Sequence, residues 1–302
     1  MAVQKEIWLN YITMRLYKDN AFLNFLRSHD EYVLGGKIVH IPQPGTRPTV
    51  VKNRAIFPGV AVRRTDTDIT YTLDGYSTDP TSIPEADQAE ISYDKLSSVY
   101  GDHVGYLVET VSDDIVIKLL TGLPATAIVN TTGADTAAYI PGQTGTRKAL
   151  VTKDLKTAAL KMNLQNIPQN DRVALVESNM LDQLVSDLSA TQYRDFSQYF
   201  DAANNVVGKL HGFNIIDRSN VGLLSAANVV NALGAVVAAT DNATSLLWQK
   251  DQAARAVGEM KFFQDLDSPL YYGDVYSALL RAGASRLRGD NAGVIALVAG
   301  AV

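Results

Sequence analysis

Gly208-Lys209-Leu210-His211-Gly212-Phe213-Asn214-Ile215-Ile216-Asp217-Arg218-Ser219-Asn220 reads as a strand pair that leads into a polar turn. Immediately upstream, Thr152 to about Leu164 reads as a helix and Arg172-Val173-Ala174-Leu175-Val176 as a strand. A further helix starts at Ser178, with Leu181, Leu184, Val185 and Leu188 on one side. Strands and helices therefore alternate through this region. Downstream, Ser245 to Gly258 reads as a strand passing into a helix, and Leu270 to Leu287 and Val294 to Val298 as closing strands.

Further out, Leu96, Val99, Tyr100, His103, Leu107, Val111, Ile115 and Leu119 recur at steps of three and four, which marks one face of a helix over 92–121. Ser92 is the expected N-cap, and Gly122 with Pro124 the expected stop. Such a helix is about 45 Å long, the longest rigid element in the chain. Residues 125–146 are rich in Thr, Gly and Ala and read as an irregular connection. Before the long helix, Lys37 to Ile41 reads as a strand stopped by Pro42, Pro44 and Pro48, and Gly59 to Asp74 as a strand polar on both faces. A two-sided polar hairpin buries no face of its own and is marginal in isolation, so residues 37–85 are expected to dock on a neighbouring subunit. Residues 1–30 place Ile7, Leu9, Ile12, Leu16, Phe22, Leu23, Phe25 and Leu26 at irregular helical spacings, as short helices in an arm.

The composition is that of a folding protein. Of 302 residues 46% are hydrophobic and 20% charged, and no stretch has the low hydrophobicity and high charge of disorder. The absence of Cys excludes disulfides, thiolate zinc sites and cysteine nucleophiles, and suits a reducing cytoplasm. Charged residues interrupt the first thirty positions, which therefore lack the apolar core of a signal peptide. The most apolar stretch, Val221 to Ala239, is broken by Asn228, Asn231 and Gly234, and a soluble protein without a membrane span is expected. A net charge of -5 argues against a dedicated nucleic-acid binder.

No catalytic or metal-binding constellation emerges. Asp66-Thr67-Asp68-Ile69-Thr70 matches the D-x-D-x-T pattern of aspartyl phosphotransfer, but Arg63-Arg64 precede it where a buried apolar strand should stand, so a solvated strand with cross-strand charge pairs is expected. The same acids fail as an EF-hand, with Thr70 at the third ligand position. Gly142 to Lys148 lacks phosphate-loop spacing. His29, His40, His103 and His211 are scattered, without metal or triad spacing. Tyr193, Phe196, Tyr199 and Phe200, like Tyr271, Tyr272 and Tyr276, fit core or interface.

Taken in order, these segments resemble the major capsid protein family of tailed bacteriophages. That shell-forming coat protein fold is shared with encapsulins and the herpesvirus capsid floor. Gly208 to Asn220 is similar to the family's axial hairpin, and Asp171 to Leu184 to its strand entering a helix. Trp248 to Ala253 resembles the entry to a returning helix, and Tyr272 to Ser277 with Arg281-Ala282-Gly283 the closing strands; Arg288 to Val294 fits the last turn. The resemblance covers essentially the whole chain.

It implies an α+β fold with an N-terminal arm (1–36), an extended β-hairpin loop (37–91), a peripheral domain with a spine helix (92–150 plus 259–302) and an axial domain (151–258). It also implies a non-enzymatic, cofactor-free shell subunit of the virion. Such a subunit self-assembles as hexameric and pentameric capsomers in the host cytoplasm around dsDNA, with which contact is weak and non-specific. Separate scaffold, portal and decoration proteins are implied as further partners. Expected inter-subunit contacts are Lys52, Arg63, Arg64, Asp66, Asp68, Tyr193 and Phe196; Lys52 also lies where some relatives crosslink. An encapsulin-like nanocompartment shell is the alternative within the fold. A soluble hydrolase or phosphotransferase, or a decoration protein, is the alternative outside it.

Overall fold

A strand covered on both faces carries apolar residues without alternation, and Arg172–Glu177 is buried at all 6 of its positions. In the computed structural model, which describes residues 20–33, 38–45, 47–55, 57–84 and 94–301, this strand lies inside a seven-stranded sheet. In chain order the strands begin with β1 (Arg27–Ser28), β2 (Ile38–Gln43), β3 (Thr67–Thr72), β4 (Asp74–Ser77), β5 (Thr81–Pro84), β6 (Ile128–Asn130), β7 (Asp135–Ala137) and β8 (Thr146–Lys148). They continue with β9 (Arg172–Glu177), β10 (Val206–Leu210), β11 (Phe213–Arg218), β12 (Gly222–Leu224) and β13 (Asn242–Gln249). The last are β14 (Ala253–Val257), β15 (Lys261–Ser268), β16 (Gly273–Arg286) and β17 (Val294–Val298). The helices are α1 (Asp94–Leu120), α2 (Thr152–Leu164), α3 (Ser178–Asp187) and α4 (Ala190–Ser197). The class is α+β.

The seven-stranded sheet runs β10-β11-β9-β13-β17-β6, with β12 on β13. Its pairs β9–β11 and β17–β6 are parallel, and β10–β11, β9–β13 and β13–β17 antiparallel. One face packs against α2, α3 and α4 through Ala174, Val176, Phe213, Ile215 and Leu247. The other face contributes Val173, Leu175, Leu246, Trp248 and Ala296 to a cluster shared with α1 and residues 22–26. At the hairpin, His211 (φ 49°) and Gly212 (φ 86°) both take the left-handed backbone that a two-residue turn of this hand requires. Gly208 is there for close approach, because a Cβ would lie 2.6 Å from the Phe196 ring.

The six-stranded sheet runs β1-β14-β16-β15, and β4 and β5 also pair with β16. Tyr276, Ala278, Leu280, Ala282 and Ala284 of β16 join the cluster that α1 shares with the larger sheet, so this helix ties the two sheets together. α1 is continuous through Gly101 and Gly105. Beyond its end Gly122 turns left-handed (φ 70°), and Arg286 donates to the carbonyls of Leu119 (2.7 Å) and Thr121 (2.6 Å), which the helix leaves without partners of its own. The expected N-cap, Ser92, lies outside the described residues, as do the arm residues 1–19 and 34–37.

Residues 20–33 form a strap over the core. Phe22, Leu23 and Leu26 are buried, Trp248 Nε1 donates to the Phe25 carbonyl (2.9 Å), and Arg255 Nε donates to the Leu23 carbonyl (2.9 Å). β1 adds to β14 in parallel, and Asp30 accepts from the Val257 amide.

Several expectations need correction. Residues 253–257 form a strand where a returning helix was expected; β14 is wedged between β1 and β16 and is buried throughout, so its Ala-rich run shows no alternation to read. The stretch 125–146 holds β6, β7 and the start of β8, strands of three residues each. The polar strand expected over 59–74 pairs only from Thr67, because β2 ends at Gln43 and Pro44 and Pro48 follow it. Sheet membership also crosses the expected 151–258 boundary: β14 belongs with β15 and β16, and β17 with β9 and β13. Tyr276, expected at an interface or in the core, is in the core against Tyr100 and Phe262.

Candidate inter-subunit surfaces

β2 and β3 form a two-stranded ribbon, with Ile38 opposite Thr72 and Gln43 opposite Thr67. Its inner end rests on its own chain: Val39, Tyr71 and Leu73 pack with Val33 and Ala256. The Gln43 amide bonds the carbonyl of Leu287, and its oxygen accepts from the Gly289 amide at 3.4 Å. Across the strands Asp68 Oδ2 and His40 Nδ1 are hydrogen-bonded at 2.7 Å. Asp66 closes the ribbon's throat by accepting from the Gly45 amide and Arg64 Nε, and these two donors hold its carboxyl below the ordinary carboxylate range.

Beyond that throat the ribbon tip buries little. Val50, Phe57, Val60 and Val62 are 92%, 77%, 89% and 82% exposed. The tip also carries Arg47, Lys52, Arg54, Arg63 and Arg64 against the one acid Asp66. Lys52, Arg63, Arg64, Asp66 and Asp68 are thus all at the surface, gathered on one projecting element. Phe196 is not available as a contact. It is 2% exposed, inserted between α4 and β10 against Gly208, whereas Tyr193 beside it is 48% exposed.

Two further apolar surfaces were less legible in sequence. Residues 219–240 contain no Asp, Glu, Lys or Arg. Among them Val229, Leu233 and Val236 are exposed. The loop is nonetheless pinned: buried Asp241 accepts from Asn231 Nδ2 (2.6 Å) and the Ala238 amide (2.8 Å), and Arg147 donates to the carbonyls of Ala239 and Asp241. The second surface is the outer edge of β15, which among the described residues pairs with no strand, together with the turn after it. It displays Phe263, Leu266, Leu270, Tyr271 and Tyr272.

Among the described residues, grooves at three places indent the surface. One, of about 630 Å³, runs between α1 and β4–β5 and is lined by Asp79, Thr81, Asp102, His103 and Tyr106 among others. A second, beside β14, is lined by Glu259, Lys261 and Arg281. The third lies under the ribbon, lined by Arg27, His29, His40 and Arg288. No group of three or more His, Asp or Glu able to hold a metal occurs among the described residues. His103 bonds Thr81 Oγ1 (2.9 Å), His29 bonds the Tyr71 hydroxyl (3.2 Å), and His211 occupies the hairpin turn.

Burial holds His29, His103 and His211 below the ordinary imidazole value of 6.5, with the charges of Arg27 and Lys156 adding to this at His29 and His211; Asp30 and Glu31 oppose it at His29, and Asp102 at His103. The unfolded chain therefore binds more protons than the folded one just below pH 6.5, and stability present above that value is lost as pH falls toward the folded pKa values. Urea unfolding at pH 7 and at about pH 5 is expected to show a lower midpoint in acid, and the acid-induced drop should be smaller in His29→Gln. An equal drop in that variant would remove His29 as a contributor.

No family model matches the sequence, and no curated protein matches it. Solved structures do. The chain superposes on the capsid of the cyanophage P-SCSP1u with a TM-score of 0.63 at 20% identity, covering 92% of this chain and 87% of that one. On the capsid of cyanophage Pam1 the TM-score is 0.65 at 12% identity, covering 93% and 92%. The chain has the phage capsid fold. A virus-like particle from Pyrococcus furiosus shares it, with a TM-score of 0.55 at 9% identity over 97% of this chain and 99% of that one. The phage capsid fold thus accounts for more than nine tenths of the chain, and it is the α+β fold that the ordered sequence segments suggested.

Proposed function

We propose that the chain is the major capsid protein of a tailed phage, a structural subunit that assembles through hexameric and pentameric capsomers into a shell enclosing dsDNA. The observation that carries the reading is the ribbon tip. A projection with four apolar side chains more than three quarters exposed beside five cations buries little against the described residues of its own chain, and large exposed apolar surface marks an interaction site. In this reading the larger sheet with α2, α3 and α4 is the axial body. The smaller sheet is the peripheral body, with α1 as the spine between them. The charge-free loop 219–240 and the β15 edge are further contact surfaces. Arg63, Arg64, Asp66, Asp68, Lys52 and Tyr193 contribute to contacts between subunits. Shells need many modest contacts rather than a few strong ones, and dispersed surfaces of this kind suit that need. The role is structural, without catalysis or cofactor, and places the protein in the host cytoplasm during assembly and in the virion afterwards.

Negative-stain electron microscopy of the purified chain, alone and co-expressed with its neighbouring genes, tests this. Closed shells or capsomer rings are expected; a strict monomer under every condition would overturn it. The Pyrococcus particle favours a second reading, a nanocompartment shell. Shells that form without any phage partner and enclose a cargo protein would select it.

A further inference from the structure

The ribbon is joined to the body over a small area. β2 and β3 pair only with each other among the described residues, and their seat is the cluster of Val39, Tyr71 and Leu73 on Val33 and Ala256, with the Gln43 bonds beyond it. His29 of the strap adjoins that seat through Tyr71 and is itself buried, 8% exposed. Its amide donates to the Arg255 carbonyl at 2.8 Å, which fixes its backbone to β14. Its ring lies against the Tyr71 ring, with centroids 6.4 Å apart and planes 24° from parallel, and its Nδ1 is 3.2 Å from the Tyr71 hydroxyl. Strap, β14 and ribbon therefore meet at one imidazole.

Burial, with Asp30 adding to it, pushes the Tyr71 hydroxyl up to about 12, so of this pair only His29 changes charge near neutral pH. A neutral ring shares one hydrogen bond with Tyr71, in which either partner can donate. A protonated ring donates from both nitrogens, so it makes the hydroxyl an acceptor and sets a cation against an apolar seat, which costs free energy. The charged groups around it come from three elements. On the strap Arg27 adds to that cost while Asp30 and Glu31 relieve it, but burial is the largest effect. Asp30 is already engaged, 3.3 Å from Arg255 of β14 and accepting from the Val257 amide at 2.8 Å. The ribbon brings His40 and Asp68, which bond each other, and the groove they share with His29 is lined also by Asp251 and by Arg288, itself paired with Asp290.

We infer that His29 is a proton-operated latch: neutral, it holds the base of the ribbon to the strap, and protonated, it lets the ribbon swing off its seat while both large sheets stay folded. The ribbon is what moves because its seat is the smallest of the three buried clusters among the described residues. Lifting it hydrates His29 at the loss of fewer buried apolar contacts than opening either sheet, and the least costly opening is the one a protein populates first. The sign follows from linkage. The released state binds the proton more tightly than the seated one, so acid favours release, and a single proton limits the change to tenfold per pH unit. The inference concerns one chain by itself and holds whether or not that chain builds a shell.

The chain has no Cys, so spin labels on Thr70→Cys in the ribbon and Lys153→Cys in α2, both exposed positions, report where the ribbon lies. Dilution with unlabelled chain restricts the measured distances to those within one molecule. Between pH 7 and about pH 5 the displaced population is expected to rise at least about tenfold, on a one-proton slope, with far-UV circular dichroism unchanged. His29→Gln keeps a neutral hydrogen-bonding side chain at the latch and should abolish the rise, whereas His40→Gln should leave it intact. His29→Arg, charged at every pH, should already be displaced at pH 7; if that variant does not fold, the two Gln variants decide. An equal rise in His29→Gln would overturn the inference. So would a wild-type ribbon that stays seated down to pH 5, or one that moves only as the ellipticity of the whole chain is lost.

Discussion

Replacing residues 47–64 with a short Gly-Ser turn is expected to give a folded monomer that builds no shell. The cut spares everything that fastens the ribbon to the body: the Val39–Tyr71–Leu73 cluster, the Gln43 bonds to Leu287 and Gly289, and the Gly45–Asp66 closure. The described side chains it removes are exposed in the monomer, so the stability measured by urea unfolding should change by no more than about 0.5 kcal/mol. Shortening a loop by this amount changes its closure entropy by a similar small quantity. Assembly, followed by sedimentation velocity, should fall from shells to monomer without intermediates. A deletion variant that still forms shells would show that the tip is dispensable and shift attention to loop 219–240 and the β15 edge.

Trp248→Ala has the largest expected effect on the fold itself. The side chain is fully buried where the larger sheet, α1 and the strap meet, and its indole N–H is the donor to the Phe25 carbonyl. Truncating a buried aromatic of this size costs about 3–5 kcal/mol. Leaving the Phe25 carbonyl without its donor adds about 1–3 kcal/mol. Against a total stability of about 5–15 kcal/mol, that is enough to unfold a large share of the population at room temperature. Equilibrium urea unfolding and soluble yield are the measurements. Trp248→Phe, which keeps most of the volume and loses only the N–H, should recover the greater part. A loss under about 1 kcal/mol in Trp248→Ala would mean that the strap does not depend on this contact.

The elements legible in sequence are those whose signals are local. α2 begins and ends where Thr152 and Leu164 predicted, β9 and α3 follow at Arg172 and Ser178, and the long stripe from Tyr100 to Leu119 is one continuous helix. What was lost depends on partners far away in sequence. β14 owes its strand form to β1 and β16, 227 and 31 residues distant at the Ala254 pairs, and five buried residues carry neither a helical nor a strand period. β6 becomes a strand only because β17 lies beside it. At the candidate surfaces, the exposed cations and acids of the ribbon were visible as a polar run. Phe196 was not separable from Tyr193, because a spacing of three does not say which of two neighbouring aromatics faces the sheet. The apolar loop at 219–240 was visible as composition, but not that Asp241 and Arg147 fix it in place.

The position of β17 sets the order in which the chain can fold. Residues 294–298 lie between β13 and β6, not at the rim of the sheet. Until they emerge from the ribosome, β13 lacks one neighbour and β6 has none, and the strap over Trp248 has only part of its seat. Nearly all the pairings that complete the sheet therefore join distant parts of the chain, the class of contact that forms late. A chain that stops short of residue 294 lacks the strand that joins β13 to β6, so the larger sheet closes only when the last part of the sequence is in place.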